Sequence, residues 1–165
     1  MVILLRVSPR IKVYEALGAL GDNRVSLHKK GRVINGHVVS SDGSRVYRVL
    51  VEQKSDVVFY AYSNDNGTIY RRYIGYPILS VLMYYNILPF DWSLAKILKG
   101  IKWKELNEKF KNYKAVEEYV LGKLSDHTRH RILEYVDEVL KNIKKMRIYY
   151  DESMMMQKRL TDWLP

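Results

Sequence analysis

The chain of 165 residues is long enough to form one well-packed hydrophobic core and short for two. Lys and Arg outnumber Asp and Glu by 28 to 18, and the resulting net charge of +10 favours polyanionic partners such as nucleic acid. The lack of cysteine in the sequence excludes disulfides, thiolate metal sites and cysteine nucleophiles, and it favours a cytoplasmic location.

The balance of residue types has further consequences. Glutamine is scarce whereas Lys, Arg, Glu and Tyr are plentiful, a composition that resembles proteins of hyperthermophiles. The longest apolar stretch, Ile78 to Phe90, contains a polar residue at Asn86 and cannot span a bilayer, so we expect no membrane association. We expect a single domain with an α+β core (1–88), a helical extension (89–150) and a tail (151–165).

The first elements are a strand and a helix. Val2–Val7 is typical of a short strand, and Ser8 and Pro9 are typical of a helix start, since serine caps a helix and proline suits its first position. Apolar residues then recur at helical spacing until Gly21, where a left-handed stop is predicted. We expect Val2–Val7 and Arg24–His28 to be additional strands at the edges of a sheet.

A β-hairpin is predicted at Asp42-Gly43, between the strands Arg32–Ser40 and Ser44–Glu52. The register of a two-residue turn pairs Val38 with Tyr47, Gly36 with Val49 and Ile34 with Val51, and this row is expected in the core. The opposite face carries His37 beside Arg48, and we expect that face to be exposed to solvent.

A second hairpin is predicted at Asn66-Gly67, because a type I′ turn needs two residues that tolerate positive φ. Its strands are Val57–Ser63 and Thr68–Gly75. Cross-strand pairing in this hairpin puts four side chains on one face. These are Tyr60, Tyr62, Arg71 and Tyr73.

The connection before this hairpin leaves two orientations open. A two-residue loop at Lys54-Ser55 would turn the four side chains towards the core. A three-residue loop over Gln53–Ser55 with a bulge would instead bury Val57, Phe59 and Ala61 and leave the tyrosines in solvent. We favour the second orientation, because the charge of Arg71 is costly to bury without a partner.

The period becomes helical after Gly75, with predicted helices at Ile78–Tyr85 and Trp92–Lys99 and a long helix that starts at Ser125 or Asp126. The sequence therefore predicts an α+β fold. In this fold an antiparallel meander of about four to six strands has an N-terminal helix and several C-terminal helices packed on one face.

The function favoured by the sequence is non-catalytic binding of nucleic acid, RNA or single strands more than duplex. Bases stack on tyrosine, and arginine and lysine neutralise phosphate. The candidate binding residues are Tyr60, Tyr62, Arg71, Tyr73, His37, Arg48, Lys29, Lys30 and Arg32. The competing interpretation is structural, because tyrosine and arginine also pair across sheets without any ligand.

Two alternatives remain open. The first is a protein-interaction or homo-oligomeric domain in which Met154, Met155, Met156 and Trp163 of the tail form the interface. The second is an enzyme, although no catalytic, phosphate-binding or metal-binding motif occurs in the sequence, and no cofactor or metal is expected.

Overall fold

The computed structural model describes residues 1–156, which form an α+β fold built on one six-stranded sheet. The strands occur in the spatial order β1-β6-β5-β4-β3-β2, and every neighbouring pair is antiparallel except β5 and β6, which are parallel. The strands are β1 (Val2–Leu4), β2 (Val25–Lys30), β3 (Val33–Val39), β4 (Val46–Gln53), β5 (Val58–Ser63) and β6 (Arg147–Asp151).

Seven helices of the described residues accompany the sheet, which confirms the predicted α+β class with its N-terminal helix and several C-terminal helices. They are α1 (Arg10–Gly21), α2 (Asn66–Ile69), α3 (Tyr76–Tyr84), α4 (Trp92–Ile97), α5 (Trp103–Phe110), α6 (Tyr113–Leu121) and α7 (Asp126–Ile143). Helix α1 is buried on nearly all sides because it packs against α3, α4, α6 and α7, while α3 packs on the sheet. Across the described part of the chain, no helix combines the length and the apolar character that crossing a membrane requires.

The hairpin between β3 and β4 has the predicted register. Val38 pairs with Tyr47, and His37 pairs with Arg48 on the opposite face. Ser40 N donates to Arg45 O at 2.9 Å, so the loop at the tip has four residues, with Gly43 at positive φ. The edge strands β1 and β2 also lie where the sequence predicts them.

The β4–β5 connection resolves the two predicted orientations in favour of outward tyrosines. Phe59 and Ala61 are fully buried, and Tyr60 and Tyr62 lie on the opposite face of β5. The loop, however, lies two residues later than predicted, over 55–57 instead of Gln53–Ser55, since Lys54 N donates to Val58 O at 2.9 Å. Val57 is therefore in the loop and 45% exposed, and its predicted place in the core is wrong.

The predicted hairpin at Asn66-Gly67 is wrong, and so is the strand Thr68–Gly75. Neither residue of the pair has positive φ, and both lie in helix α2. Asp65 caps this helix, because its carboxylate accepts from Thr68 N at 3.1 Å and from Thr68 Oγ1 at 2.8 Å. An N-cap aspartate and the hydroxyl of Thr68 thus outweigh the local preference of Asn-Gly for a turn.

The second neighbour of β5, on the side away from β4, is β6, a strand that the sequence analysis did not predict. Tyr60 lies beside Tyr149 and Phe59 beside Ile148 in a parallel ladder, and β1 completes the edge beyond β6. A parallel pair requires a long crossover, here more than eighty residues that contain six helices. Periodicity within a short segment cannot reveal such a distant partner.

Candidate functional site

A cleft of about 880 Å³ opens at the end of the sheet where β3, β4 and β5 meet the helices. Its walls come from α1, the β3–β4 loop, the segment from α2 to the start of α3, and helix α5. Sites of this size typically accept small ligands. The lining side chains that carry charge are Lys12, Arg24, Arg45, Arg71, Lys104, Lys111, Glu15, Asp65 and Glu108, and the aromatic ones are Tyr47, Tyr70, Tyr73, Tyr76, Tyr113 and Trp103.

The segment after β5 is positioned by Asp65, which is only 5% exposed. Its carboxylate also accepts a hydrogen bond from Ser63 Oγ at 2.5 Å and packs against the backbone of Gly75, where a Cβ would collide with it. Tyr73 packs in the same way against Gly67. These close contacts fix the turn that brings Arg71 and Tyr73 into the cleft.

The least exposed part of the lining, the floor of the cleft, holds an ion pair between consecutive turns of α1. Lys12 Nζ lies 2.8 Å from Glu15 Oε2, and the two side chains are 12% and 7% exposed. Burial alone would lower the pKa of the Lys12 ammonium, but the adjacent Glu15 carboxylate, together with Tyr73 and Tyr113, outweighs burial and raises it. Asn107 of α5 donates from Nδ2 to Glu15 Oε1 at 3.2 Å, so the pair is held from both helices.

Two tyrosines adjoin this ion pair. Burial raises the pKa of Tyr73; the Lys12 ammonium opposes the rise, and a hydrogen bond with Tyr113 adds to it. The Lys12 ammonium also lies 5.1 Å from the ring centroid of Tyr113, within range of a cation–π contact. The Tyr73 phenol is therefore a neutral hydrogen-bonding group at neutral pH.

A second aromatic pair forms a wall of the cleft. The rings of Tyr47 and Tyr76 meet edge to face with centroids 5.9 Å apart. Burial raises the pKa of both hydroxyls. Trp103 is 1% exposed and packs against Gly18, where even a Cβ would meet its indole nitrogen. The wall is therefore aromatic and closely packed.

The charges of the lining are unequal, with six cations against three carboxylates, a difference of +3. Lys104 pairs with Asp42 at 3.2 Å and Arg24 with Asp22 at 3.1 Å. Three further cations, which we call the rim cations, have no ion-pair partner among the described residues. They are Arg45, Arg71 and Lys111, all exposed.

The binding residues predicted from the sequence lie in three separate places. Arg71 and Tyr73 are in the cleft, so the prediction that they share a sheet face with Tyr60 and Tyr62 is wrong. Lys29, Lys30 and Arg32 surround the β2–β3 turn at the other end of the sheet. The length of β3 separates that turn from the cleft by roughly 20 Å.

The outer face of the sheet carries the remaining predicted residues. Tyr60 contacts Tyr149 with ring centroids 5.6 Å apart, and Lys54 lies 5.1 Å from the Tyr60 ring. Tyr62 contacts Tyr150 at 5.9 Å, and the Arg72 guanidinium lies 4.9 Å from the Tyr150 ring. These tyrosines thus have protein partners, as the structural interpretation of the sequence requires.

His37 and Arg48 line a smaller recess of about 400 Å³ on the outer face, together with Met155. The segment after β6 therefore returns over the sheet. Met154 is 6% exposed, so its predicted availability for a partner is wrong, whereas Met156 is 64% exposed. Trp163 lies outside the described residues.

Sequence reasoning missed most of the cleft. Lys12, Glu15, Asn107, Lys104 and Tyr113 come from three helices, and nothing in their local sequence distinguishes them from ordinary helix-surface residues. The one available signal was a Lys and a Glu at i and i+3 in a helix that is otherwise apolar. Among residues 1–156, no three His, Asp or Glu side chains are grouped as metal ligands would be.

Comparison with known proteins gives one result. A family model described as "Uncharacterised conserved protein UCP014422" matches residues 5–149, which is most of the chain. No curated protein and no solved structure matches it.

Proposed function

The chain belongs to the UCP014422 family of conserved proteins, whose description states no activity, and from the geometry of the cleft we propose that it binds single-stranded nucleic acid, RNA above all. The observation that carries this proposal is the combination of unpaired rim cations with tyrosines in one cleft. Arginine and lysine neutralise phosphates, and aromatic rings stack on bases whatever the sequence.

The size of the cleft favours one or two nucleotides over a duplex. A volume of about 880 Å³ suits a small ligand, whereas a duplex presents its bases inside grooves that a concave site cannot read. Tyr70 and Tyr113, which are 76% and 43% exposed, are the tyrosines of the lining that a base entering from solvent meets first. Single strands offer unstacked bases to such rings.

The cleft supports this function better than the outer sheet face does. On the outer face, Tyr60 and Tyr62 already contact other tyrosines, and the neighbouring Lys54 lies over the Tyr60 ring. In the cleft, Arg45 and Arg71 have no carboxylate partner among the described residues. An arginine without a carboxylate partner does not have to break an ion pair before it binds phosphate, so its binding costs less free energy.

Fluorescence anisotropy of labelled single-stranded RNA, single-stranded DNA and duplex DNA tests the proposal. We expect salt-dependent binding of the single strands. Arg45→Ala/Arg71→Ala should weaken it and reduce the slope of log K against log salt by about 0.7 for each lost phosphate contact. Arg147→Ala is the matched control, since Arg147 is exposed on β6 away from the cleft.

The variant Tyr60→Ala/Tyr62→Ala separates the two surfaces. If binding uses the cleft, this variant binds like the wild type once circular dichroism has established that it is folded. Loss of binding in the Tyr60→Ala/Tyr62→Ala protein with normal binding in Arg45→Ala/Arg71→Ala would move the site to the sheet face. Absence of binding at low salt would refute the nucleic-acid proposal.

A second candidate function, self-association, is favoured by one observation. Strand β1 lies at an edge of the sheet, and Met1, Val2 and Leu4 are 73%, 48% and 53% exposed. An exposed apolar edge strand is a template for pairing with another chain. Sedimentation velocity of the wild type and of Val2→Lys/Leu4→Lys tests it: a dimer that the substitutions dissociate supports this candidate, and a wild-type monomer at high concentration rejects it.

A further inference from the structure

Two oxygen atoms at the floor of the cleft lack the hydrogen bonds that buried acceptors normally receive. Glu15 Oε2 lies 2.8 Å from the Lys12 ammonium but accepts no hydrogen bond of good geometry from the described residues. Asn107 Oδ1, in the same cleft, accepts none either. Buried polar atoms are nearly always satisfied, so each such exception requires an explanation. A ligand that donates to both atoms supplies one.

The floor has three polar groups that are available to a ligand. The Lys12 ammonium is a donor, and Glu15 Oε2 beside it is an acceptor. Asn107 uses Nδ2 to donate to the other carboxylate oxygen, Glu15 Oε1, at 3.2 Å, and its Oδ1 is left as a second acceptor without a hydrogen bond. The floor therefore offers one donor and two acceptors. Among the four RNA bases, guanine alone has the complementary edge, with O6 as acceptor and the N1 and N2 groups as donors.

We propose that the floor of the cleft reads the Watson–Crick edge of an unpaired guanine, with Lys12 donating to O6, Glu15 accepting from N1–H and Asn107 accepting from the N2 amino group. This inference rests on the proposed function, because it assigns the base that the single strand places in the same cleft. Enzymes and binding proteins that take up a single base commonly read this edge.

The distribution of charge in the cleft agrees with this orientation. At the floor, Lys12 and Glu15 neutralise one another, so the floor suits a neutral base better than a phosphate. Arg45, Arg71 and Lys111 are all exposed, which places uncompensated positive charge at the mouth. The base therefore points inward and the phosphates stay at the rim.

Binding requires a small rearrangement. Glu15 Oε2 and Asn107 Oδ1 are out of contact with solvent. A side chain at the floor must therefore move before the base edge reaches them, and changes of rotamer on binding are common. The long, flexible chain of Lys12 is the group we expect to shift.

The test compares labelled RNA hexamers of uridine that carry one guanosine, inosine or adenosine. Inosine differs from guanosine only by the missing N2 amino group, so it isolates the contact with Asn107. We expect guanosine to bind about tenfold more tightly than inosine, because the inosine complex leaves Asn107 Oδ1 unpaired. Adenosine and all-uridine RNA should bind more weakly still.

Two variants test whether Asn107 and Glu15 cause the preference for guanosine. Asn107→Ala should bind the guanosine and inosine RNAs equally, and Glu15→Gln should lose the preference for guanosine over adenosine. Glu105→Gln is the matched control, since Glu105 lies on the same helix as Asn107, is exposed and is not among the residues that line the cleft. Circular dichroism and thermal melting establish that each variant is folded.

The outcomes separate this inference from the function on which it rests. Salt-dependent binding with equal affinity for guanosine, inosine, adenosine and uridine RNAs would overturn the guanine assignment and leave the proposed function intact. No binding of any RNA would overturn both. The comparison of guanosine with inosine uses the wild-type protein, so a variant that fails to fold does not prevent a decision.

Discussion

The ring of Tyr73 packs against the Cα of Gly67 so closely that a Cβ on Gly67 would overlap the ring. Tyr73 is 9% exposed and lies beside Lys12, so the ring cannot move away without disturbing the floor of the cleft. The fit between these two residues joins helix α2 to the candidate site, and it makes a small residue at position 67 a requirement of the site's geometry.

Gly67→Ala is therefore expected to destabilise the protein by about 1–3 kcal/mol, the usual cost of forcing extra volume into a packed site. Urea denaturation measures the change. Asn66→Ala is the control, because Asn66 is exposed and its side chain makes no hydrogen bond to the described residues. Equal stability of the two variants would show that Tyr73 relaxes at no cost.

Asp65→Ala should cost more than the loss of an ordinary helix cap, which is about 0.5–2 kcal/mol. The substitution leaves Ser63 Oγ, Thr68 N and Thr68 Oγ1 without their acceptor in a buried place. We expect about 2–4 kcal/mol in total by chemical denaturation. Asp56→Ala, on an exposed loop residue, is the control and should change stability by less than about 0.5 kcal/mol.

The buried ion pair predicts strongly non-additive mutations. Glu15→Ala should cost about 3–5 kcal/mol, because it leaves the Lys12 ammonium buried without its partner. The double substitution Lys12→Met/Glu15→Leu should cost much less than Glu15→Ala, since it removes both charges and keeps the volume. A double-mutant cycle by urea denaturation measures the coupling, and additive effects would mean that the pair is solvated.

Alkaline pH should destabilise the fold. Burial raises the pKa of Tyr14, Tyr76 and Tyr135, and the Glu15 carboxylate raises the pKa of Lys12 against the effect of burial. These groups keep their protons in the fold above pH 10, where the unfolded chain loses them. The stability they confer is complete below pH 10 and decreases above it, by about 1.4 kcal/mol per pH unit for each fully shifted group.

The residue for testing this pH dependence is Tyr135, whose hydroxyl donates to Pro89 O at 2.6 Å. Tyr135→Phe should lower stability at pH 8 by about 1 kcal/mol and make the decrease above pH 10 less steep. Tyr70→Phe, on a side chain that is 76% exposed, is the control. Denaturation midpoints between pH 8 and 11 supply the measurement, and identical slopes for both variants would contradict the assignment.

The sequence predicted correctly those parts of the fold that depend on residues close to one another in the chain. The β3–β4 register followed from one short turn and a period of two, and Phe59 and Ala61 were placed in the core because apolar alternation is local. The α2 turn was missed because the side chain of Asp65 reorganised a sequence that would otherwise favour a hairpin. A local sequence pattern does not show that the carboxylate of Asp65 is buried and accepts hydrogen bonds there.

The candidate site was predicted only in fragments for the same reason. Arg71 and Tyr73 were recognised as binding residues, but on a sheet face that does not include them. Their neighbours Lys12 and Asn107 lie 59 and 36 residues away from Arg71 in the sequence, so no local pattern joins them. Tertiary packing alone brings helices α1 and α5 and the segment after α2 together.

The insertion of β6 between β1 and β5 has a consequence for how the chain folds. Val2 pairs with Asp151, 149 residues later, whereas Val39 pairs with Val46, seven residues later. Closing the longer loop costs about 3 kcal/mol more in chain entropy than closing the hairpin. We infer that β2 to β5 form early, that β1 and β6 join last, and that this late step limits the folding rate.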